Sequence, residues 1–170
     1  MPTALREHAI EAFAELLRGV TPAAGAQVDL SGCVHVGRAV FGREDGALIV
    51  AVLERADQDA QQAAAPAKSD TARRIGNLPL VVQGFCDGPE SPYTVSAEVV
   101  KAAVAEAIRG ARTADCLSDQ LAPEVPAGSV SEILVGQPLV RPSEDSRSKA
   151  AEFWLQVTLV LAEDRINPFA

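Results

Sequence analysis

The chain has 170 residues, a formal net charge of −8, 48% apolar residues and three cysteines. A chain of this length folds most simply as one domain and buries roughly 70% of the surface its unfolded form exposes, so it needs no disulfide staple. Its acidic balance, with no basic cluster denser than Arg73-Arg74, argues against a surface built to neutralise phosphates.

Thr3 is placed to cap a first helix over residues 3–18, in which Leu5, Ile10, Phe13, Leu16 and Leu17 recur near helical spacing and Gly19 supplies a left-handed stop. The polar side carries Glu7, Glu11 and Glu15 at four-residue steps, a like-charge line that costs an isolated helix a few tenths of a kcal/mol per pair. It reads either as a solvated face or as an acidic stripe presented to a channel or a basic partner. The same charges are foreign to a secretory signal, and no apolar run approaches the ~20 residues that cross a bilayer, so a soluble protein without a membrane segment is expected.

A Pro/Gly/Ala-rich loop over 20–32 leads to an alternating segment, 34–41, with Val34, Val36 and Val40 on one side and His35, Ala39 and Phe41 on the other. Turn residues at 42–46 and the apolar run 47–53 then predict a hairpin whose second strand is central or covered on both faces. Residues 55–77 are polar and Ala-rich with almost nothing to bury, which predicts a long mobile insertion. A third strand follows over 78–86, with Pro79 near its start, where a missing amide hydrogen does least damage.

Asp87-Gly88-Pro89 breaks that strand, and Ser96 caps a second helix striped by Val100, Val104 and Ile108, with Gly110 just beyond it. Residues 111–128 read as irregular, with a short helical turn at most over 115–121. Strands are expected at 130–135 and 138–140, and a charged turn over 141–149 leads to the clearest element. That is the closing strand 152–164, in which Phe153, Leu155, Val157, Leu159 and Leu161 share one face. Trp154 lies on the opposite face, either as a contact residue or packed beneath a helix. The polar loop between the last strands predicts an antiparallel pair, and the order as a whole predicts an α+β fold. It is one domain over 1–170, with a mixed, mostly antiparallel sheet and helices packed to one side.

The chemistry-bearing residues form no familiar site. Cys33, Cys86 and Cys116 lack Cys-x-x-Cys spacing and leave one thiol over however they pair, the pattern of free structural thiols in a reducing compartment. Cys33-x-His35 would place a thiol and an imidazole on one strand face, but nothing completes a tetrahedral metal set. Glu44-Asp45 and Glu144-Asp145 sit in turns, where exposed acidic residues are ordinary and the burial that an acid/base role needs is not expected. Phosphate-binding loops, the dinucleotide fingerprint and the nucleophile elbow do not occur. No catalytic residue, metal or cofactor is expected, and the chain is read as a non-enzyme.

The segments "TALREHAIEAFAELLRGV", "LPLVVQGF", "SAEVVKAAVAEAIRG" and "EFWLQVTLVLAEDRINPF", taken in order over nearly the whole chain, resemble the tail terminator (tail completion) proteins of long-tailed bacteriophages. The insertion at 55–77 is longer than the loops of that family. The resemblance implies a structural virion protein of the tail neck, assembled in the host cytoplasm. It would form a ring, usually a hexamer, that caps the tail tube, ends tube polymerisation and offers a surface for head joining. Its partners would be further copies of itself, the tail-tube protein and a head-completion or connector protein, with DNA passing through the pore unbound. Glu7, Glu11, Glu15, Glu44 and Asp45 are then the candidates for an acidic lumen. The alternatives are another head–tail connector ring, adaptor or stopper, and a small-molecule-binding or catalytic α+β domain with Cys33 and His35 at its pocket.

Overall fold

The computed structural model describes residues 5–41, 45–55, 73–86, 97–113, 130–141 and 151–164. The fold is α+β: a mixed, mostly antiparallel six-stranded sheet with two helices on one face. Helix α1 spans Leu5–Arg18, and a short 3-10 turn follows at Pro22–Ala24. Strands β1 (Val34–Val36), β2 (Leu48–Glu54) and β3 (Arg73–Cys86) precede α2 (Ala97–Thr113), and β4 (Val130–Val135), β5 (Leu139–Arg141) and β6 (Ala151–Asp164) complete the described chain. The strands lie in the order β1-β2-β3-β6-β4, and β5 also pairs with β6.

Period-two alternation in β6 puts Phe153, Leu155, Val157, Leu159 and Leu161 under the helices, each at most 1% exposed. At ~1.5–3 kcal/mol for each large apolar side chain removed from water, this strand alone contributes on the order of 10 kcal/mol of gross burial. Leu78, Leu80 and Val82 of β3 and Val50 and Val52 of β2 extend the same layer. Onto it α1 turns Ala9, Phe13 and Leu17, and α2 turns Val100, Val104 and Ile108. The loop between α1 and β1 also reaches the core, through Val20, Val28 and Leu30, tied by a bond from Leu30 N to Val20 O at 2.9 Å.

Gly84 faces this layer directly opposite Phe153 in the β3–β6 register. A Cβ there would lie 1.8 Å from the Cε1 of the Phe153 ring, so only glycine lets the ring lie flat across the strand.

Several expectations are corrected. The segment 34–41 does not form one strand, and 42–46 does not close a hairpin: β1 ends at Val36 and pairs with β2 in parallel, Val34 against Val50. Gly37, at φ 70°, turns the chain out of β1, which a residue with a side chain does at a cost. The connection then crosses the helix-free face. Phe41 packs there against His35 and Phe85, with ring centroids 5.4 and 5.9 Å away. The Arg38 guanidinium lies 5.0 Å from the Phe41 centroid and grips the Asp45 carboxylate at 2.6 Å.

Strand β3 begins at Arg73, so the last five residues of the expected insertion 55–77 belong to the sheet, while 56–72 lie outside the described residues. Pro79 therefore sits inside a strand. Its carbonyl accepts from Arg55 N at 3.0 Å, so its backbone faces β2 where that strand has just ended, and no β3–β6 bond is lost. Gly19 is not left-handed; α1 closes through bonds from Gly19 N to Glu15 O and Val20 N to Leu17 O. Helix α2 runs through Gly110 to Thr113, because Ala111 continues the buried stripe and offsets the ~1 kcal/mol that an interior glycine costs. The expected caps at Thr3 and Ser96, the breaker at 87–89, the turns at 115–121 and 142–149, and Cys116 lie outside the described residues.

Candidate functional site

Of the five acidic candidates, the structure brings two together. Glu11 and Glu15 both accept from the Arg18 guanidinium, at 2.6 and 2.5 Å, and the second guanidinium nitrogen reaches Val34 O at 3.3 Å. The hydrogen bond to Glu11 is the chief reason Arg18 holds its proton more tightly than usual; burial opposes it and Glu15 adds to it. One of the three charges of the line is thus neutralised along the flank of β1. Glu7 is exposed on the same helix, and the neighbouring Arg6 pairs with Glu54 at the end of β2. Asp45 lies apart from these, its side chain only 9% exposed behind Arg38. Glu44 lies outside the described residues.

Both rims of the sheet are modified in ways that hinder a further strand from pairing. At one rim β1 has three residues, and Arg18 occupies the outward carbonyl of Val34. At the other, β4 and β5 form one interrupted strand along β6. The register slips by one residue between Val130 and Glu132, and again between Val135 paired with Val157 and Leu139 paired with Trp154. Gly136 still donates to Gln156 O at 2.8 Å, and Pro138 stands in the second slip.

Large apolar side chains are nonetheless exposed at these rims. Among the described residues they are Val36 (37%) at the end of β1, Val40 (81%) on the connection that follows it, and Leu134 (42%), Val135 (37%) and Leu139 (59%) at the β4–β5 end. Trp154 is half-buried on the helix-free face, paired with Leu139, so of its two expected places the one beneath a helix is ruled out.

The proposed thiol–imidazole pair is not assembled. Cys33 lies in the turn before β1, where its thiol bonds the Asp29 carbonyl at 3.6 Å and its side chain packs on the helix-side core; His35 faces Phe41 on the other side of the sheet. Burial, aided by Asp29, pushes the Cys33 thiol up to about 11, and burial, aided by Cys33, pushes Cys86 up to about 12. Both are poor nucleophiles at neutral pH. Among the described residues no group of three or more His, Cys, Asp or Glu side chains converges as a metal site, and no helix is long and apolar enough to cross a membrane.

A groove of about 640 Å³ opens between the end of α1, the 3-10 turn and α2, walled by Leu16, Val99, Ala103 and Ala107 with Glu98 and Glu106. No buried side-chain polar atom among the described residues lacks a partner, so nothing unsatisfied is aimed into it.

Sequence reasoning found the acidic residues and missed what holds them. Glu15 and Arg18 are three residues apart on a helix, a spacing that pairs charges, so that partner was legible. The rim hydrophobics carried no local signal, because exposure at a sheet edge depends on strand order. Compared with known proteins, the chain matches no family model and no curated protein.

Proposed function

We propose that this chain is a structural subunit of a phage or phage-like particle, a tail terminator whose copies close into a ring on the tail tube. The observation that carries the reading is the order of elements: an amphipathic helix, two short strands, a Leu-Pro strand, an Ala-rich helix and an aromatic-led closing strand, built as one sheet with apolar side chains at both rims. The α+β composition favours a terminator over an adaptor, which is mainly helical, or a stopper, which is a small β-barrel. The separation of Cys33 from His35 weighs against the catalytic alternative.

Work by contact fits a chain whose conspicuous exposed features are apolar rims and charged flanks. An acidic pore wall supplied by some of Glu7, Glu11, Glu15, Glu44 and Asp45 would repel DNA over about one Debye length, ~8 Å at physiological salt. Glu7 is the most available of the four described, since Glu11, Glu15 and Asp45 have arginine partners.

The test is assembly. Native mass spectrometry should find a closed ring, and the chain added to polymerising tail-tube protein should give tubes that stop growing with a ring at one end. A chain that stays monomeric beside assembled tubes, or tubes that elongate unchecked, would overturn the proposal. A resolved ring whose channel wall carries none of the five carboxylates would overturn the lumen assignment alone.

A further inference from the structure

We infer that the two rims of the sheet are the two halves of one contact, in which Val36 and Val40 of one copy pack against Leu134, Val135 and Leu139 of the next. The inference rests on the self-assembly part of the reading above and is independent of any tail tube.

Of the exposed large apolar side chains among the described residues, Val36, Leu134, Val135 and Leu139 lie on β1 and on β4–β5, Val40 lies on the connection that follows β1, and none lies on β2, β3 or β6. Four strand-to-strand steps separate β1 from β4, about 19 Å at the usual spacing, so the two groups cannot form one patch. A two-fold dimer needs one self-complementary patch, whereas a head-to-tail array needs two different patches at opposite ends of the subunit. The distribution is of the second kind.

Charge points to a second copy as the occupant. A chain with a net charge of −8 repels its own copies unless the facing patches are complementary. After β1 the chain carries Arg38 between Val36 and Val40 in sequence, its guanidinium 44% exposed while its partner Asp45 is covered. A guanidinium has five donors, and the two spent on Asp45 leave others for an incoming carboxylate. At the β4–β5 end Glu132 is the exposed charge among the described side chains, two residues from Leu134. An apolar pair beside an arginine thus faces an apolar trio beside a glutamate.

The blocked rims define the kind of contact. With Arg18 on the Val34 carbonyl at one end, and two register slips and Pro138 at the other, copies meet through side chains and not by extending the ladder.

Cysteines introduced singly, Val40→Cys in one preparation and Leu139→Cys in another, test this in a Cys116→Ser background that retains the protected Cys33 and Cys86. With a short bis-maleimide, the mixture should give a cross-linked dimer that neither preparation gives alone, and a chain carrying both substitutions should give a ladder of multimers. Cross-links within a single preparation would overturn the head-to-tail pairing. No cross-link while native mass spectrometry shows an oligomer would overturn this surface and leave self-assembly standing. No cross-link and monomers throughout would overturn both. Val40→Asp, at a position 81% exposed and so harmless to folding, should weaken self-association by roughly tenfold or more, because it buries an unpaired carboxylate. An unchanged association constant would contradict the contact.

Discussion

Replacing Gly84 with alanine tests the packing of the whole sheet, because one methyl group is set against one ring. The new Cβ would lie 1.8 Å from Cε1 of Phe153 and 2.5 Å from Cδ1 and Cζ. Carbon atoms rest at about 3.5–4 Å, so the ring would have to retreat by about 2 Å. Phe153 is fully buried in a close-packed layer and has nowhere to go. Overpacking costs ~1–3 kcal/mol, and expelling the ring approaches the ~3–5 kcal/mol of losing a phenylalanine, so Gly84→Ala should destabilise the fold by about 3 kcal/mol. At ~2–4 °C per kcal/mol for a chain of this size, the melting temperature should fall by roughly 6–12 °C. Urea unfolding of Gly84→Ala, Phe153→Ala and the double variant completes a cycle. With the ring gone the methyl has room, so the double variant should be more stable than the sum of the singles implies, by about 2 kcal/mol. A loss below ~0.5 kcal/mol for Gly84→Ala, or strict additivity, would refute the close-approach argument.

The two arginine clamps should differ. Arg18→Ala removes exposed ion pairs and should cost at most ~1 kcal/mol, whereas Arg38→Ala strips a bidentate partner from the covered Asp45 and should cost about 1–3 kcal/mol in urea unfolding. Gly37→Ala meets no atom within 4 Å yet holds φ at 70°, so it should cost ~1 kcal/mol, while Gly32→Ala, equally open and without positive φ, should be neutral or slightly stabilising. Cys33 and Cys86 should resist iodoacetamide at pH 8 until the chain unfolds, as peptide mapping would show. Their folded values lie above the ordinary 9.0, so the unfolded chain loses these protons first. Stability from this source is therefore complete below about pH 9 and declines as pH rises towards 11 and 12; alanine at both positions should flatten that decline in unfolding experiments.

Elements whose burial is periodic were legible in the chain. The alternation of β6 and the stripe Val100, Val104 and Ile108 report directly on which side is covered, and the α+β class follows from them. The direction of β2 was not legible. Gly- and charge-rich turn residues suit a tight hairpin and a crossing connection equally well, and the crossing path is held by Phe41 against His35 and Phe85, the second a contact that no local window contains. Pro79 misled for a related reason, since its tolerance depends on β2 ending opposite it. Of the acidic candidates, the positions were visible and the partners only partly so. The pair of Glu15 and Arg18 follows helical spacing, but the pair of Asp45 and Arg38 depends on a non-repeating loop.

The place of β6 has a kinetic consequence. It follows every other described strand in the chain, yet lies between β3 and β4 and binds β5 as well. Until it emerges from the ribosome, β3 lacks its longer neighbour, and β4 and β5 have nothing to dock on. Pairings that span so much sequence must overcome loop-closure entropy before they return any burial, which slows the search and leaves unpaired strands waiting. Newly made chains therefore pass through an interval in which apolar strands are exposed and dependent on chaperones or dilution, and that interval closes only when the central strand is threaded into its slot.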